Sequence, residues 1–405
     1  MTAATQRNTG TRWVLMADDL TGAAECAAAF ALHATTSVVL RSEAPWPDTD
    51  VVAIDTDTRR VSATAAATRV AEAVRRARAA GGAGVVKKID STLRGNVGAE
   101  IGAALEALEG AAESSRPLAL VAAAFPAVGR TTLGGRLHVD GFAATAAPFE
   151  GDLAALLQDT GMRVETVPLN AVRDPRLLAR RIELAADEGL AALVVDAECD
   201  HDLEAIAHAI ENALRPLLVA GSAGIVRALA HKSRPVEAAE SAPRALLPQP
   251  ALFVVGSYSA AAHAQRRVLV QEGAHPVLLD SAHTHDAMVN DVRTALKAGQ
   301  SVVLSPDPDE PVDLVAAAAV AARLASVAAA VLAEVRTLVA TGGETARAVM
   351  LRAGIETLAV QGEREAGVVG LRAPAQNLDI VTKAGAFGDP GALSRVIWPA
   401  PPKEN

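Results

Sequence analysis

Short apolar runs alternate with longer alanine-rich stretches of helical periodicity along nearly the whole chain. The apolar runs predict strands at Trp13–Met16, Ser37–Leu40, Val51–Asp55, Gly84–Lys87, Leu118–Ala122, Leu190–Val195 and Leu217–Ala220. A second series follows at Leu252–Val255, Pro276–Leu279, Ser301–Leu304, Leu338–Ala340, Leu358–Val360 and Ile380–Lys383. Strands separated by helical runs imply βαβ units and parallel sheets. Between the two series the periodicity fails over 233–250, which holds four prolines and many charges. The expected fold class is α/β with two domains, 12–232 and 251–398, joined by a linker at 233–250. Each domain is expected to be a mostly parallel sheet flanked by helices, with the active site in the interdomain cleft.

Composition narrows the field. Half of the 405 residues are hydrophobic, but aromatics make up only 2%. The net charge is −9 and no block of like charge stands out. Nucleic acid is therefore not an expected partner. Cys26 and Cys199 are too far apart for a metal or redox pattern and read as buried thiols. Residues 1–11 lack the apolar core of a secretory signal. Arg323, Glu334 and Arg336 interrupt Val312–Leu338, which reads as a soluble helix rather than a membrane span. A cytoplasmic protein without a membrane partner is expected. A homo-oligomer is allowed, and the tail, 399–405, is expected to fray.

The most telling turn is Thr341-Gly342-Gly343-Glu344-Thr345-Ala346-Arg347, which follows a strand and opens a helix. Two glycines let backbone approach a ligand, and a helix N-terminus offers N–H groups to an anion. Gly256-Ser257-Tyr258-Ser259 and Lys383-Ala384-Gly385-Ala386-Phe387-Gly388-Asp389 repeat the construction. None ends in the GK[ST] of a Walker A loop, and none is a dinucleotide fingerprint.

The first half of the chain carries charge at its strand ends instead. Asp18 and Asp19 precede Leu20-Thr21-Gly22. Adjacent carboxylates repel, so a cation, a metal or a substrate hydroxyl must compensate. Asp19 also reads as a plain helix N-cap. Arg59 follows Asp55 and Asp57, either to grip a substrate carboxylate or to balance those two. Lys87-Lys88-Ile89-Asp90-Ser91-Thr92-Leu93-Arg94-Gly95-Asn96 is a local positive site in an acidic chain, suited to an anionic substrate. Phe125 to Thr132 adds Arg130 and hydroxyls, and His138 and Asp140 follow. One half thus suits a small polar acid and the other a nucleotide polyphosphate. Phosphoryl transfer from ATP needs both, with Mg2+ to neutralise the phosphates.

The chain resembles the four-carbon acid sugar kinase family. The resemblance rests on ADDLTGAAE (17–25), KKIDSTLRGN (87–96), FPAVGRTT (125–132), VVDAECDHDL (194–203), AGSAG (220–224), VVGSYS (254–259), TGGETA (341–346) and KAGAFGD (383–389). These span almost the whole chain in family order. The resemblance implies two α/β domains, the first for the acid sugar and the second for ATP, and phosphorylation of the 4-hydroxyl of a tetronate. It places Asp19, Arg59, Lys88, Asp90, Ser91 and Arg94 at the acid, to which the charged clusters add Asp18 and Arg130 as candidates. It places Ser257, Gly342, Gly343, Glu344, Thr345 and Gly385 at the nucleotide, to which the loop after Val255 adds Ser259 as a candidate.

KKIDSTLRGN is closer to the D-threonate and D-erythronate branch than to the 3-oxo-tetronate branch. Phe142-Ala143-Ala144-Thr145-Ala146-Ala147-Pro148 departs from the family pattern, which leaves a 3-oxo-tetronate or another small hydroxy acid as the alternative. A catalytically inactive nucleotide- or metabolite-binding sensor is the reading from another class. For the group that takes the acceptor proton, Asp19 is preferred. Asp18, Asp90 and Asp389 stay open, Asp389 by analogy with other sugar kinases.

Overall fold

The computed structural model of the chain describes residues 13–81, 84–109, 116–232, 245–279, 283–307, 317–385 and 387–399. The expectations for residues 1–11, for 233–244 of the linker and for 400–405 of the tail lie outside these. The first strands are β1 (Trp13–Ala17), β2 (Thr36–Val39), β3 (Val51–Asp55), β4 (Gly84–Lys88) and β5 (Leu118–Ala122). Next come β6 (Arg130–Leu133), β7 (Arg136–Val139), β8 (Phe142–Ala143), β9 (Val164–Val167), β10 (Ala192–Val195) and β11 (Leu217–Gly221). The last are β12 (Ala251–Val255), β13 (His275–Leu279), β14 (Val302–Pro306), β15 (Thr337–Thr341), β16 (Thr357–Glu365), β17 (Val368–Ala373) and β18 (Leu378–Lys383).

The described residues form two compact units, one of 13–18, 34–36 and 46–232, the other of 19–33, 37–45 and 245–399. In the first, seven parallel strands run in the order β3-β1-β4-β11-β5-β10-β9. Their residues are buried almost throughout, as expected of strands covered by helices on both faces. The chain leaves β1 for β3 on one side and β4 on the other. That is a topological switch point, where open parallel sheets bind ligands beyond the strand ends. A small antiparallel sheet, β6-β7-β8, follows β5. It was not expected, because Arg130-Thr131-Thr132-Leu133 has no apolar run. Thr132 N donates to Ala197 O at 2.8 Å, a partner 65 residues away.

In the second unit β13-β14-β12-β15-β18 are parallel, and β17, β16 and β2 continue antiparallel. The switch point here lies between β12 and β15. The division into units differs from the expected 12–232 at residues 19–33 and 37–45. The helix Leu20–Phe30 buries Leu20, Ala23, Ala24, Ala27 and Phe30, and packs on β16, β17 and the helix Gly343–Arg352. Ser37–Val39 pairs with β16. Alanine on several faces lets this helix approach its neighbours closely. The helix Ala317–Val331 buries one face, Leu324, Val327, Ala328 and Val331, against neighbouring helices and strands. Its window Ala317–Glu334, of mean hydropathy 1.6, is long and apolar enough to cross a membrane by length and composition.

Candidate active site

The carboxyl ends of β3, β1 and β4 are aligned, with Ala17 in register with both Asp55 and Lys88. The loops that follow therefore meet over β1. Asp18 is 2% exposed. Arg59 grips it with two bonds, Nε to Oδ2 at 2.7 Å and an Nη to Oδ1 at 2.9 Å. Arg94 grips Asp90 the same way, at 2.9 and 2.7 Å. The second Asp also lies 3.6 Å from Arg59, so two carboxylates and two guanidiniums form one network. Burial pushes both Asp18 and Asp90 up. The Arg59 charge and hydrogen bonds outweigh this at Asp18, aided by Lys87 and Lys88, and hold its carboxyl below the ordinary value. At Asp90 the hydrogen bonds of Arg94, with Arg59 and Thr92, do the same. Both acids stay ionised, and both guanidiniums are held in place.

The sequence allowed Arg59 to balance Asp55 and Asp57. Asp57 lies 3.5 Å from Arg69, and Asp55 accepts from Asp57 N, while Arg59 also holds Asp18. Lys88 is buried at the end of β4, beside Asp90, and Ser91 is half-buried. Lys87 points the other way. Its Nζ pairs with Glu100 at 2.9 Å and donates to Lys88 O at 2.7 Å. Arg130, on β6, donates to the Val128 carbonyl, and among the described residues it makes no hydrogen bond or ion pair with the network. His138 lies on β7, near the Arg136 carbonyl. Cys26 is buried, but Cys199 is exposed, contrary to expectation. It begins the helix Asp200–Glu211 at the surface, where Asp202 accepts from its N–H.

In the second unit the loops after β12, β15 and β18 converge. A Cβ on Gly385 would stand 2.2 Å from Ser257 Oγ, and one on Gly256 would stand 2.0 Å from Thr345 Oγ1. Ser259 caps the helix Ala260–Gln271 through Ala262 N and also donates to Gly385 O at 2.6 Å. Gly342 takes φ 85° and donates its N–H to Lys383 O at 3.0 Å. It thereby ties the β15 loop to the β18 strand. Glu344 is exposed in the first turn of the helix Gly343–Arg352, and Thr345 is buried there. A shallow depression lies beside Ser257, lined by Tyr258, His263, Arg266 and Ser305 among others.

Asp19 belongs to this unit. It caps the helix Leu20–Phe30 by accepting from Gly22 N at 3.0 Å, as its N-cap reading foresaw, and Thr21 Oγ1 donates to its Oδ2. A Cβ on Gly343 would lie 2.7 Å from Asp19 Oδ2. The carboxylate therefore abuts the glycine turn at the start of another helix. Asp389 is differently placed. Arg395 donates to both its oxygens, at 3.0 and 2.7 Å, and Gly391 N donates at 2.7 Å. The hydrogen bonds of Arg395 hold this carboxyl below its ordinary value. Two buried residues at this site, Lys383 and Gln265, were not singled out from the sequence. The signal was there: a lysine closing an apolar strand, and a glutamine on the buried stripe Ala262, Gln265, Leu269.

Comparison with known proteins agrees with this division of labour. A family model described as a sugar-binding N-terminal domain matches residues 13–229, and one described as a nucleotide-binding C-terminal domain matches 252–393. A D-threonate kinase of Cupriavidus necator is 38% identical, with 94% of this chain and 96% of that protein covered. A D-threonate kinase of Salmonella typhimurium is 32% identical, with 96% and 98% covered. A solved chain from Salmonella typhimurium LT2, described as a putative tRNA synthase, superposes with a TM-score of 0.80 at 22% identity. It covers 95% of this chain and 98% of its own, and that likeness carries the fold alone. With both family models matched in order over most of its length, the chain belongs to the four-carbon acid sugar kinase family.

Proposed function

We propose that this sugar-acid kinase transfers the γ-phosphoryl group of ATP to the 4-hydroxyl of a four-carbon sugar acid of the D-threonate or D-erythronate type. The observation that carries the reading is the Asp18–Arg59–Asp90–Arg94 network. It stands at the switch point of the unit that the sugar-binding model matches. Its two guanidiniums are already fixed, so a substrate carboxylate meets oriented donors and loses less side-chain entropy on binding. Lys88 adds a point charge and Ser91 a hydroxyl; Arg130 serves the acid only from the edge of the site. On the nucleotide side, backbone at Gly342, Gly343 and Gly385 faces the phosphates. Ser257, Ser259, Glu344 and Thr345 frame them.

Asp19 orients the acceptor hydroxyl and takes its proton as the phosphoryl group arrives. It is ordered by its own helix and stands against Gly343, where phosphate is expected. Asp389 is already engaged by Arg395 through both its oxygens. No group of three or more His, Cys, Asp or Glu that could hold a metal occurs among the described residues. Mg2+ binds through one or two carboxylates plus phosphate oxygens rather than in a protein cage. Bound through the phosphate oxygens, the ion would neutralise charge on the transferring group. We place the enzyme in the cytoplasm.

The segment after β7 favours a second substrate reading. Phe142 is 78% exposed where the sequence leaves the family pattern, and the second reading is another small hydroxy acid as acceptor. An ADP-release assay over D-threonate, D-erythronate, 3-oxo-tetronates and other hydroxy acids decides between them, with and without EDTA. D-threonate or D-erythronate should give the highest kcat/KM, and EDTA should abolish turnover. Asp19→Asn should lower kcat by roughly 10²–10⁴ while both substrates still bind. ATP binding without turnover on any acid would leave the protein a sensor and end the proposal.

A further inference from the structure

Beneath the last glycine loop lie two fully buried polar side chains, Lys383 at the end of β18 and Gln265 on the helix Ala260–Gln271. Lys383 Nζ donates to the carbonyls of Ala384, Gly385 and Phe387, at 2.7, 3.2 and 2.7 Å. Gln265 Nε2 donates to those of Phe387, Gly388 and Asp389, at 3.0, 3.2 and 3.0 Å. Carbonyls from five residues of one short loop thus converge on two donors.

This arrangement is costly for a mere turn. Among the described residues no carboxylate pairs with Lys383, and burial pushes its ammonium down to about 8. Gln265 Oε1 is buried without a partner. Groups of this kind destabilise a fold and tend to persist where function needs them. The geometry supplies a use. In a trans peptide the N–H points opposite to the C=O of the same unit. Drawing the carbonyls of Ala384 and Phe387 down therefore turns the N–H groups of Gly385 and Gly388 the other way. Successive amides presented on one side make a concave anion site. Ser257 and Ser259 border that loop at Gly385.

We infer that Lys383 and Gln265 are positioning residues that hold the β18 loop with its Gly385 and Gly388 amides presented to nucleotide phosphate, without touching the nucleotide themselves. The inference rests on the nucleotide reading of this site. Lys383 sets the first half of the loop and Gln265 the second, and they share the Phe387 carbonyl.

The test is calorimetric titration of the full chain with ADP, and with adenosine as the phosphate-free control, alongside KM for the sugar acid. Lys383→Met and Gln265→Met remove the donors and keep the bulk. Each should weaken ADP by at least about tenfold, the loss of one or two hydrogen bonds to charged phosphate. Adenosine affinity and KM for the acid should stay near wild type. A purely structural role predicts equal losses for ADP, adenosine and the acid, and that result overturns the inference. So does wild-type ADP affinity in both variants. If Lys383→Met does not fold, Gln265→Met and Gln265→Glu decide by the same criteria. A wild-type protein that binds no ADP would instead remove the nucleotide reading itself, and the inference with it.

Discussion

The site at the ends of β3, β1 and β4 is made of charged side chains, and the site at the ends of β12, β15 and β18 is made largely of backbone. The first has two bidentate Arg–Asp pairs with little bare charge left over. The second has glycines against which Ser257, Thr345 and Asp19 are packed so closely that a Cβ would collide. The contrast follows from the ligands expected in each. A small acid carries one carboxylate and several hydroxyls, which need specific donors in specific directions. A polyphosphate spreads its charge over many oxygens, and a set of amides meets it without a mobile side chain. Each site should also fail in its own way: the first through loss of charge, the second through gain of volume.

Between the two sites, the larger effect is expected where volume is gained at Gly343. Gly343→Val puts atoms 2.7 Å or closer to Asp19 Oδ2, which Gly22 N and Thr21 hold in place. A misplacement of about 1 Å at reacting groups costs about 10²-fold. We expect kcat/KM for ATP to fall by about that factor or more. KM for the acid and the far-ultraviolet circular dichroism should be nearly unchanged. Normal ATP kinetics would reduce the glycine pair to a plain turn and erase the contrast between the sites.

Removing charge should do the reverse. Arg59→Ala takes the bidentate partner from Asp18, which is buried. Leaving a buried charge unpaired costs about 3 kcal/mol, reduced here because Lys87 and Lys88 remain nearby. Losing a charge-assisted hydrogen bond to substrate corresponds to roughly 1.5–3 kcal/mol, or about 10- to 150-fold. KM for the acid should rise within that range while KM for ATP stays put. Steady-state kinetics on both substrates, with urea unfolding in parallel, separates binding from stability. An equal rise in both KM values would mean that Arg59 only holds the fold.

The two sites also differed in how far the sequence revealed them. Every strand expected from an apolar run is present, because burial on both faces writes itself as a continuous Val/Leu/Ala run. β6 to β9 and β17 were missed; they are short, of mixed polarity or interrupted, and are held by distant partners such as Ala197 opposite Thr132. Charged candidates were visible as residue types, but their pairing was not. Arg59 reaches Asp18 across 41 residues only because β3 lies beside β1 in register. The glycine loops were visible as turns. Their support from Lys383 and Gln265 was not, since a lysine that binds carbonyls inside a core looks in sequence like any strand-end cation. The grouping of 19–33 with the second unit was hidden for a similar reason: a helix of alanines does not say which sheet it covers.

The smallest effect should come from Asp389, and it tests whether the backbone-built site hides a catalytic carboxylate after all. Its side chain is 58% exposed and bonded to Arg395, which also holds Glu365 at 2.6 Å. Exposed ion pairs contribute about 0–1 kcal/mol. Asp389→Asn keeps an oxygen for Gly391 N and loses only part of the Arg395 contact. Arg395 lowers the carboxyl pKa, so this group has little tendency to take a proton from a hydroxyl. We expect kcat within about fivefold of wild type, the rate equivalent of that energy, against a loss of orders of magnitude for Asp19→Asn. Measuring kcat for the two variants side by side at saturating substrates makes the comparison direct. A 10²-fold loss in Asp389→Asn with a near-normal Asp19→Asn would move the base to the β18 loop, and the loop's role would then extend from holding phosphate to taking the proton.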